Sequence, residues 1–220
     1  MNLRIILTGA TGMVGEGVLH ECLLDPEVEA VLSVSRRPAE ISHPKLKEAL
    51  VQDFFDLSKI EDQLSGYDGC LFCLGVSSIG MKEPEYSRLT YDLTLNFASM
   101  LSRLNKNMTF CYISGAGTDS TEKGKLMWAK VKGKTENDLM KLPFKAVYNF
   151  RPGYMHPTPG LRRTLKAYRY LGWLYPFFRL IMPNKVSTLK QMGLAMIRAA
   201  RSGYEKNVVE VKDIKILVAK

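Results

Sequence analysis

Three glycines spaced three apart, close to the start of the chain, are the residues best placed to do chemistry. The run Thr8-Gly9-Ala10-Thr11-Gly12-Met13-Val14-Gly15 follows the apolar stretch Ile5-Ile6-Leu7 and opens a helical pattern near Gly12–Leu24 that ends before Pro26. A strand, a glycine-rich turn and a helix in that order build an anion site out of backbone alone. Gly9 permits a sharp turn, Gly12 lets the main chain touch a pyrophosphate, and Gly15 lets helix and strand pack closely. The free N–H groups of the helix's first turn and its positive dipole end then face the phosphates. This puts Gly9, Thr11, Gly12, Met13, Val14 and Gly15 against a bound dinucleotide.

Other reactive side chains read as structural. Cys70-x-x-Cys73 has the spacing of a redox or metal pair, but it lies in the strand-like run Gly69–Leu74. Positions three apart on a strand point to opposite faces, so the sulfurs do not meet. Cys22, Cys70, Cys73 and Cys111 all sit in apolar runs, as buried thiols do in a reducing cytoplasm. His20, His43 and His156 are scattered without metal-ligand spacing, so no metal site is expected. The N-terminus runs straight into the glycine loop and leaves no room for a removable signal peptide. No apolar stretch reaches the roughly 20 residues that span a bilayer; the best, Tyr170–Met182, is interrupted by Pro176 and Arg179. A cytoplasmic protein is expected.

The elements that must carry the loop follow from periodicity. Strands are expected at Leu3–Leu7, Ala30–Ser35, Ala49–Gln52, Cys70–Leu74, Thr109–Ile113 and Lys145–Phe150. Helical patterns run from about Glu85 to Leu104, with Leu89, Leu93, Phe97, Met100 and Leu101 on one face, and from Asp119 or Ser120 as N-cap to about Leu142. Strands too apolar to have a wet face, alternating with helices, imply a parallel sheet covered on both sides: a doubly wound α/β Rossmann fold. Beyond Pro152, helices at about Leu161–Leu180 and Thr188–Arg201 precede a β-like tail, Val208–Val218. One domain over residues 1–220 is expected, with 154–220 as a small C-terminal helical and strand elaboration.

The spacing G-x-x-G-x-x-G, preceded by Thr at the extreme N-terminus, resembles the short-chain dehydrogenase/reductase superfamily across residues 1–155. It is most similar to the extended and atypical, epimerase/dehydratase-like branch, whose loop reads T-G-A-T-G-x-x-G. An NAD site usually places Asp or Glu about 20 residues beyond the loop to hold the ribose 2′-hydroxyl. Here Ser33-Val34-Ser35-Arg36-Arg37 offers no carboxylate. Arginine forks suit a 2′-phosphate, with Ser35 in reach, so NADP is expected rather than NAD. The resemblance further implies that Asp53 and Phe54 contact the adenine and that Leu74-Gly75-Val76 packs under a cofactor ribose. By the same likeness, Arg151-Pro152-Gly153-Tyr154 places Pro152 backbone at the nicotinamide end.

In that superfamily a Ser ends the fifth strand, and a Tyr-x-x-x-Lys on the next helix moves the proton. Ser114 fills the first position and Lys132 the Lys position, where it would also hold the nicotinamide ribose. The residue four before Lys132, one turn away on the same face, is Trp128. An indole N–H is a donor only and cannot cycle a proton near neutral pH. No tyrosine in the chain is followed by Lys at the fourth position. Similarity to Tat-interacting-protein-like reductases, which share a V-K-G after the Lys-bearing turn, implies an NADP-dependent oxidoreductase acting on a small carbonyl or hydroxyl compound. Similarity to the NmrA-like sensors, which lack the tyrosine, implies a non-catalytic NADP(H)-binding regulator. Tyr154 is an alternative proton source.

Charge divides the chain unevenly. Residues 1–120 hold 10 basic and 16 acidic side chains, 10 − 16 = −6, and residues 121–220 hold 21 and 6, 21 − 6 = +15. No acidic residue occurs between Leu139 and Tyr204. A field of one sign points to an anionic partner, whether a charged small-molecule substrate or a membrane surface met by the aromatic and basic segment Arg162–Arg179. No nucleic-acid-binding motif accompanies the charge, so nucleic acid is not expected.

Overall fold

The computed structural model describes residues 2–163 and 175–219. Seven strands form one parallel sheet in the order β3-β2-β1-β4-β5-β6-β9. They are β1 (Leu3–Thr8), β2 (Val28–Ser35), β3 (Leu46–Leu50), β4 (Gly69–Phe72), β5 (Thr109–Ile113), β6 (Ala146–Arg151) and β9 (Val208–Glu210). A separate parallel pair joins β7 (Tyr154–His156) to β8 (Val186–Thr188). The helices are α1 (Met13–Leu24), α2 (Glu83–Ser87), α3 (Leu93–Leu104), α4 (Met127–Leu139), α5 (Tyr175–Ile181), α6 (Leu189–Ser202) and α7 (Val211–Ala219). The doubly wound parallel sheet expected from the sequence is present.

Alternation along each strand sorts the core into two layers. Ile5, Leu7, Leu71 and Cys111 face α1, α6 and α7, while Ile6, Cys70, Phe72 and Phe110 face α3 and α4. Cys70 and Cys73 fall on opposite faces and are free thiols. Burial raises both pKa values well above the ordinary thiol range, which keeps the sulfurs protonated and inert. Helices α1 and α6 cross at small residues. A Cβ on Gly17 would stand 2.9 Å from Leu189 Cβ, and one on Gly193 would stand 2.7 Å from Glu21 Cγ.

Four boundaries differ from expectation. β3 begins three residues before and ends two before the expected Ala49–Gln52, because an edge strand tolerates the exposed Lys47 and Glu48. Neither Asp119 nor Ser120 caps α4, which starts at Met127 behind Leu126. The Asp119 carboxylate instead accepts Thr121 N–H (3.0 Å), Thr121 Oγ1–H (2.6 Å) and Gly124 N–H (2.7 Å), folding the loop that precedes the helix. The β-like tail is strand only at Val208–Glu210 and then turns helical. Val211, Ile214 and Leu217 recur at helical spacing on its buried face, and the buried Asp213 accepts Glu210 N–H at 3.1 Å. Of the helix expected at Leu161–Leu180, Leu161–Arg163 is loop and Tyr175–Ile181 is α5, while 164–174 lie outside the described residues. With them lies most of the aromatic and basic segment Arg162–Arg179.

Candidate functional site

The strand order reverses between β1 and β4, and the loops leaving the carboxyl ends of these two strands part there to leave a crevice. Gly9 has φ +73°, and a Cβ there would lie 2.7 Å from the Cys73 carbonyl. Its own carbonyl accepts Gly12 N–H at 2.9 Å, and a Cβ on Gly15 would be driven to 2.0 Å from that same oxygen. Leu74 N–H donates to Thr8 Oγ1 at 3.2 Å, locking the loop after β4 to the end of β1. The glycine turn is thus held from both sides, and its outer residue, Gly12, is exposed with only Gly9 O at 3.4 Å from a would-be Cβ.

Beside this turn lies an open cleft of about 470 Å³. Its walls are Gly9 and Thr11, the Ser35-Arg36-Arg37 corner after β2, Gln52 and Phe54 after β3, and Leu74 after β4. Ser35 Oγ–H donates to Arg37 O at 2.6 Å, which fixes the corner that carries both guanidinium groups. No carboxylate lines the cleft. Several expected contacts sit elsewhere. Asp53 is exposed, and its carboxylate accepts Phe55 N–H at 2.9 Å rather than facing the cleft. Met13 and Val14 pack against the core, and Gly75 stands in open space. Phe54 serves both cleft and core, with its ring 6.0 Å from that of Phe97. Gln52 was not singled out by sequence; the early position of β3 puts it at the mouth.

The second cluster is built where β5 and β6 end. Ser114 N–H donates to Phe150 O (2.8 Å) and Ala116 N–H to Pro152 O (2.9 Å), so the pairing of the two strands continues into their loops. The Pro152 carbonyl is engaged there. Ser114 Oγ lies 2.8 Å from Thr118 Oγ1, and Thr118 Oγ1–H donates to Gly115 O at 2.8 Å. Because the threonine hydroxyl gives its one hydrogen to Gly115, Ser114 is the donor to Thr118 and turns acceptor lone pairs outward. Lys132 Nζ donates to Ser114 O at 2.8 Å and lies 5.9 Å from the Tyr112 ring centre. Burial lowers the Lys132 pKa to about 8, against the opposing pull of Glu136 one turn on. Trp128 is half-buried with its indole against Gly115 and Gly117: Cβ atoms placed there would lie 3.7 and 3.6 Å from the ring.

Two carboxylates that the sequence reading passed over hold these clusters together. Glu136 is almost fully buried and takes a forked hydrogen bond from Arg151, with Nε at 3.0 Å. Arg151 also donates to Ser120 Oγ, so the arginine before Pro152 is a strut between β6 and α4. Gly153 admits the backbone of Lys185, whose oxygen would be 2.1 Å from a Cβ there, and Tyr154 begins the small sheet. Glu16, buried in the first turn of α1, accepts Arg162 N–H (2.9 Å) and Arg163 N–H (2.7 Å). Glu40 in turn draws in both guanidinium groups, at 3.6 and 3.5 Å. An acid in a first helical turn is the signal for Glu16, because the dipole favours it there. Among the described residues no cluster of His, Cys, Asp or Glu is arranged to hold a metal.

No family model matches the chain. It is 30% identical over 145 residues to "Leucinostatins biosynthesis cluster protein T" of Purpureocillium lilacinum, over 64% of this chain and 52% of that one. It is 24% identical over 157 residues to "Protein FMP52, mitochondrial" of Meyerozyma guilliermondii, over 70% of this chain and 65% of that one. The chain thus spans between half and two thirds of these curated relatives. Expectation of a cytoplasmic protein is overturned here, since the FMP52 relatives from several fungi are named as mitochondrial. Among solved structures, WbmG of Bordetella bronchiseptica in complex with NAD superposes with TM-score 0.69 at 13% identity, over all of this chain and 78% of that one. A short chain dehydrogenase family protein from Francisella tularensis gives TM-score 0.63 at 14% identity, over 92% and 93%. The chain shares the Rossmann fold of these structures.

Proposed function

We propose that this chain binds NADP(H) in the cleft beside the glycine turn and works as an oxidoreductase on a small carbonyl or hydroxyl compound. The observation that carries this reading is the cleft itself, which sets glycine backbone on one wall against two guanidinium groups on the other with no carboxylate between. The residues fit the group: the exposed Gly12 lets a pyrophosphate approach the α1 N-terminus, and Arg36 and Arg37 stand where forks can grip a 2′-phosphate. Phe54 and Leu74 offer apolar flanks to the adenine. NAD in the superposed WbmG complex supports a nicotinamide dinucleotide; the arginine corner is what favours NADP.

A nicotinamide held beside this cleft would supply or take up hydride. Ser114 accepts from the hydroxyl of an alcohol substrate through its free lone pairs, and holds a carbonyl oxygen only by turning its own hydrogen away from Thr118. Lys132 titrates near neutral pH and holds the proton within reach of the Ser114 turn. The mitochondrial names of the relatives support placing this chain at mitochondria as well, which fractionation tests.

A second reading, a non-catalytic NADP(H) sensor, is favoured by Trp128 lying over Gly115 and Gly117 where a proton donor is needed. One experiment separates the two. NADPH and NADH are titrated into the pure protein, and NADPH oxidation is then followed with a panel of aldehydes and ketones. Tighter NADPH binding with turnover supports the oxidoreductase; tight binding with complete inertness moves the conclusion to the sensor. Absence of dinucleotide binding removes both.

A further inference from the structure

Large exposed apolar side chains are scattered singly over most of this surface, as Leu24, Leu50, Leu126 and Met140 are. At the end of α5 four come within six residues: Phe177 (58% exposed), Leu180 (81%), Ile181 (57%) and Met182 (44%). A patch of this kind on an otherwise soluble fold marks a contact surface. Cations flank it. Lys215 Nζ donates to Pro183 O, tying α7 to the turn that follows α5, and Lys185, Lys190 and Lys212 are exposed. Beside α5 lies an open groove of about 390 Å³, whose polar groups include Tyr175, Thr188, Gln191, Lys190 and Lys215. Lys185 and Lys190 lie in the stretch from Leu139 to Tyr204, which holds no acidic residue.

We infer that this corner docks the protein on an anionic lipid surface, with Phe177, Leu180, Ile181 and Met182 entering the acyl boundary and the lysines meeting headgroup phosphates. The charge selects the partner. An apolar protein groove would satisfy the four side chains equally well, but it would offer no counter-charge to the exposed Lys185 and Lys190. A bilayer with acidic headgroups presents both layers at the right depth, apolar below and anionic above. Seven residues of helix rise only about 10 Å, so α5 lies on such a surface rather than through it. Among the described residues no helix is long and apolar enough to cross a membrane.

Co-sedimentation of the whole protein with two kinds of vesicle tests this, one of phosphatidylcholine and one of phosphatidylcholine with phosphatidylglycerol. Binding is expected to the anionic vesicles only, and to weaken as salt rises. The double variant Leu180→Asp/Ile181→Asp alters exposed positions, so its thermal unfolding should match wild type while binding falls about tenfold or more. Lys185→Glu/Lys190→Glu should weaken binding at least about fivefold, the effect of even one surface lysine lost. Absence of wild-type binding to anionic vesicles, or equal binding by wild type and the Leu180/Ile181 variant, overturns the inference. So does a dimer in sedimentation velocity that this variant dissolves while vesicles remain unbound, since the occupant would then be a second copy of the chain.

Discussion

The glycine-turn cleft and the cluster where β5 and β6 end are built by different physics. At the phosphate end the protein works with absent side chains: Gly9, Gly12 and Gly15 shape a turn in which backbone faces the cleft, and the charged groups that line the cleft are guanidinium ions on an exposed corner. At the β5–β6 end the protein works with buried charge. Lys132, Glu136 and Arg151 form a row of ions between α4 and the strand ends, and every one of them already has a partner. A site of the first kind is fixed by steric exclusion and is visible in any single sequence that carries it. A site of the second kind depends on which charges the fold brings together, and one substitution can retire its chemistry while sparing the structure.

The sharpest way to break the comparison is at the glycines. Gly15→Ala forces a Cβ to within 2.0 Å of a backbone oxygen that cannot move without opening the turn. A loss of about 3 kcal/mol or more is expected, read as a large fall in thermal midpoint or as failure to fold. Gly12→Ala meets nothing closer than 3.4 Å, and Gly12 has an ordinary φ of −103°. Its stability should stay within about 1 kcal/mol of wild type while NADPH affinity falls. If both variants unfold alike, the turn has no phosphate-facing glycine distinct from its packing glycine.

At the charged end, Glu136→Gln takes from the Arg151 guanidinium the buried one of its two carboxylates and leaves Glu210 at 3.7 Å, so about 2 kcal/mol of destabilisation by chemical denaturation is expected. It also removes the charge that holds the Lys132 pKa up, so that pKa should drop further below about 8. The linkage sign for Lys132 follows from its depressed value. Between about 8 and the ordinary 10.5 the unfolded chain binds the proton that the folded chain has released, so stability rises with pH in that window. Measured as the difference between wild type and Lys132→Met, which cancels the cysteines and tyrosines, stability should climb by about 3 kcal/mol from below pH 8 to above pH 10.5. A flat difference would mean that Lys132 is solvated. At the exposed arginine corner the effect is smaller: Arg36→Glu/Arg37→Glu should weaken NADPH by about 10- to 100-fold, NADH far less, and stability hardly at all.

What the sequence reveals follows the same division. The strands of the central sheet, the glycine turn and α1 are legible because they rest on local patterns: apolar runs, glycine spacing, a proline stop. Cys70 and Cys73 could be set aside from strand periodicity alone. The tail misled because Val208, Val209, Val211 and Ile214 are β-branched, while the capping of α7 by Asp213 depends on a buried contact. Asp119 and Ser120 have the chemistry of caps, yet the fold uses them to tie a loop and to take a bond from Arg151. Glu16, Glu136 and Thr118 are polar residues whose partners lie 146, 15 and 4 positions away, and only the last distance is local. The cytoplasmic expectation failed for a related reason: cysteine usage describes the fold's chemistry, not its address.

Trp128→Tyr is the gentlest of these substitutions and the most informative. The indole is half-buried against a glycine turn, 3.7 and 3.6 Å from where Cβ atoms on Gly115 and Gly117 would stand. A tyrosine keeps an aromatic plane against Gly115 and Gly117, so stability should change by less than about 1 kcal/mol. Its hydroxyl would stand one helical turn from Lys132, which is neutral for part of the time near pH 8 and can hold or relay a proton beside it. If wild type turns over carbonyl compounds slowly through Lys132 alone, the variant should be faster by about 100-fold, the ordinary worth of a positioned acid. If wild type is inert and Trp128→Tyr acquires turnover, binding and substrate positioning at the Ser114 end are intact, and the indole is what separates a sensor from a reductase. Inertness in both, with NADPH bound equally well, would locate the loss of chemistry in the Ser114–Thr118 bond, where the serine hydrogen is already committed.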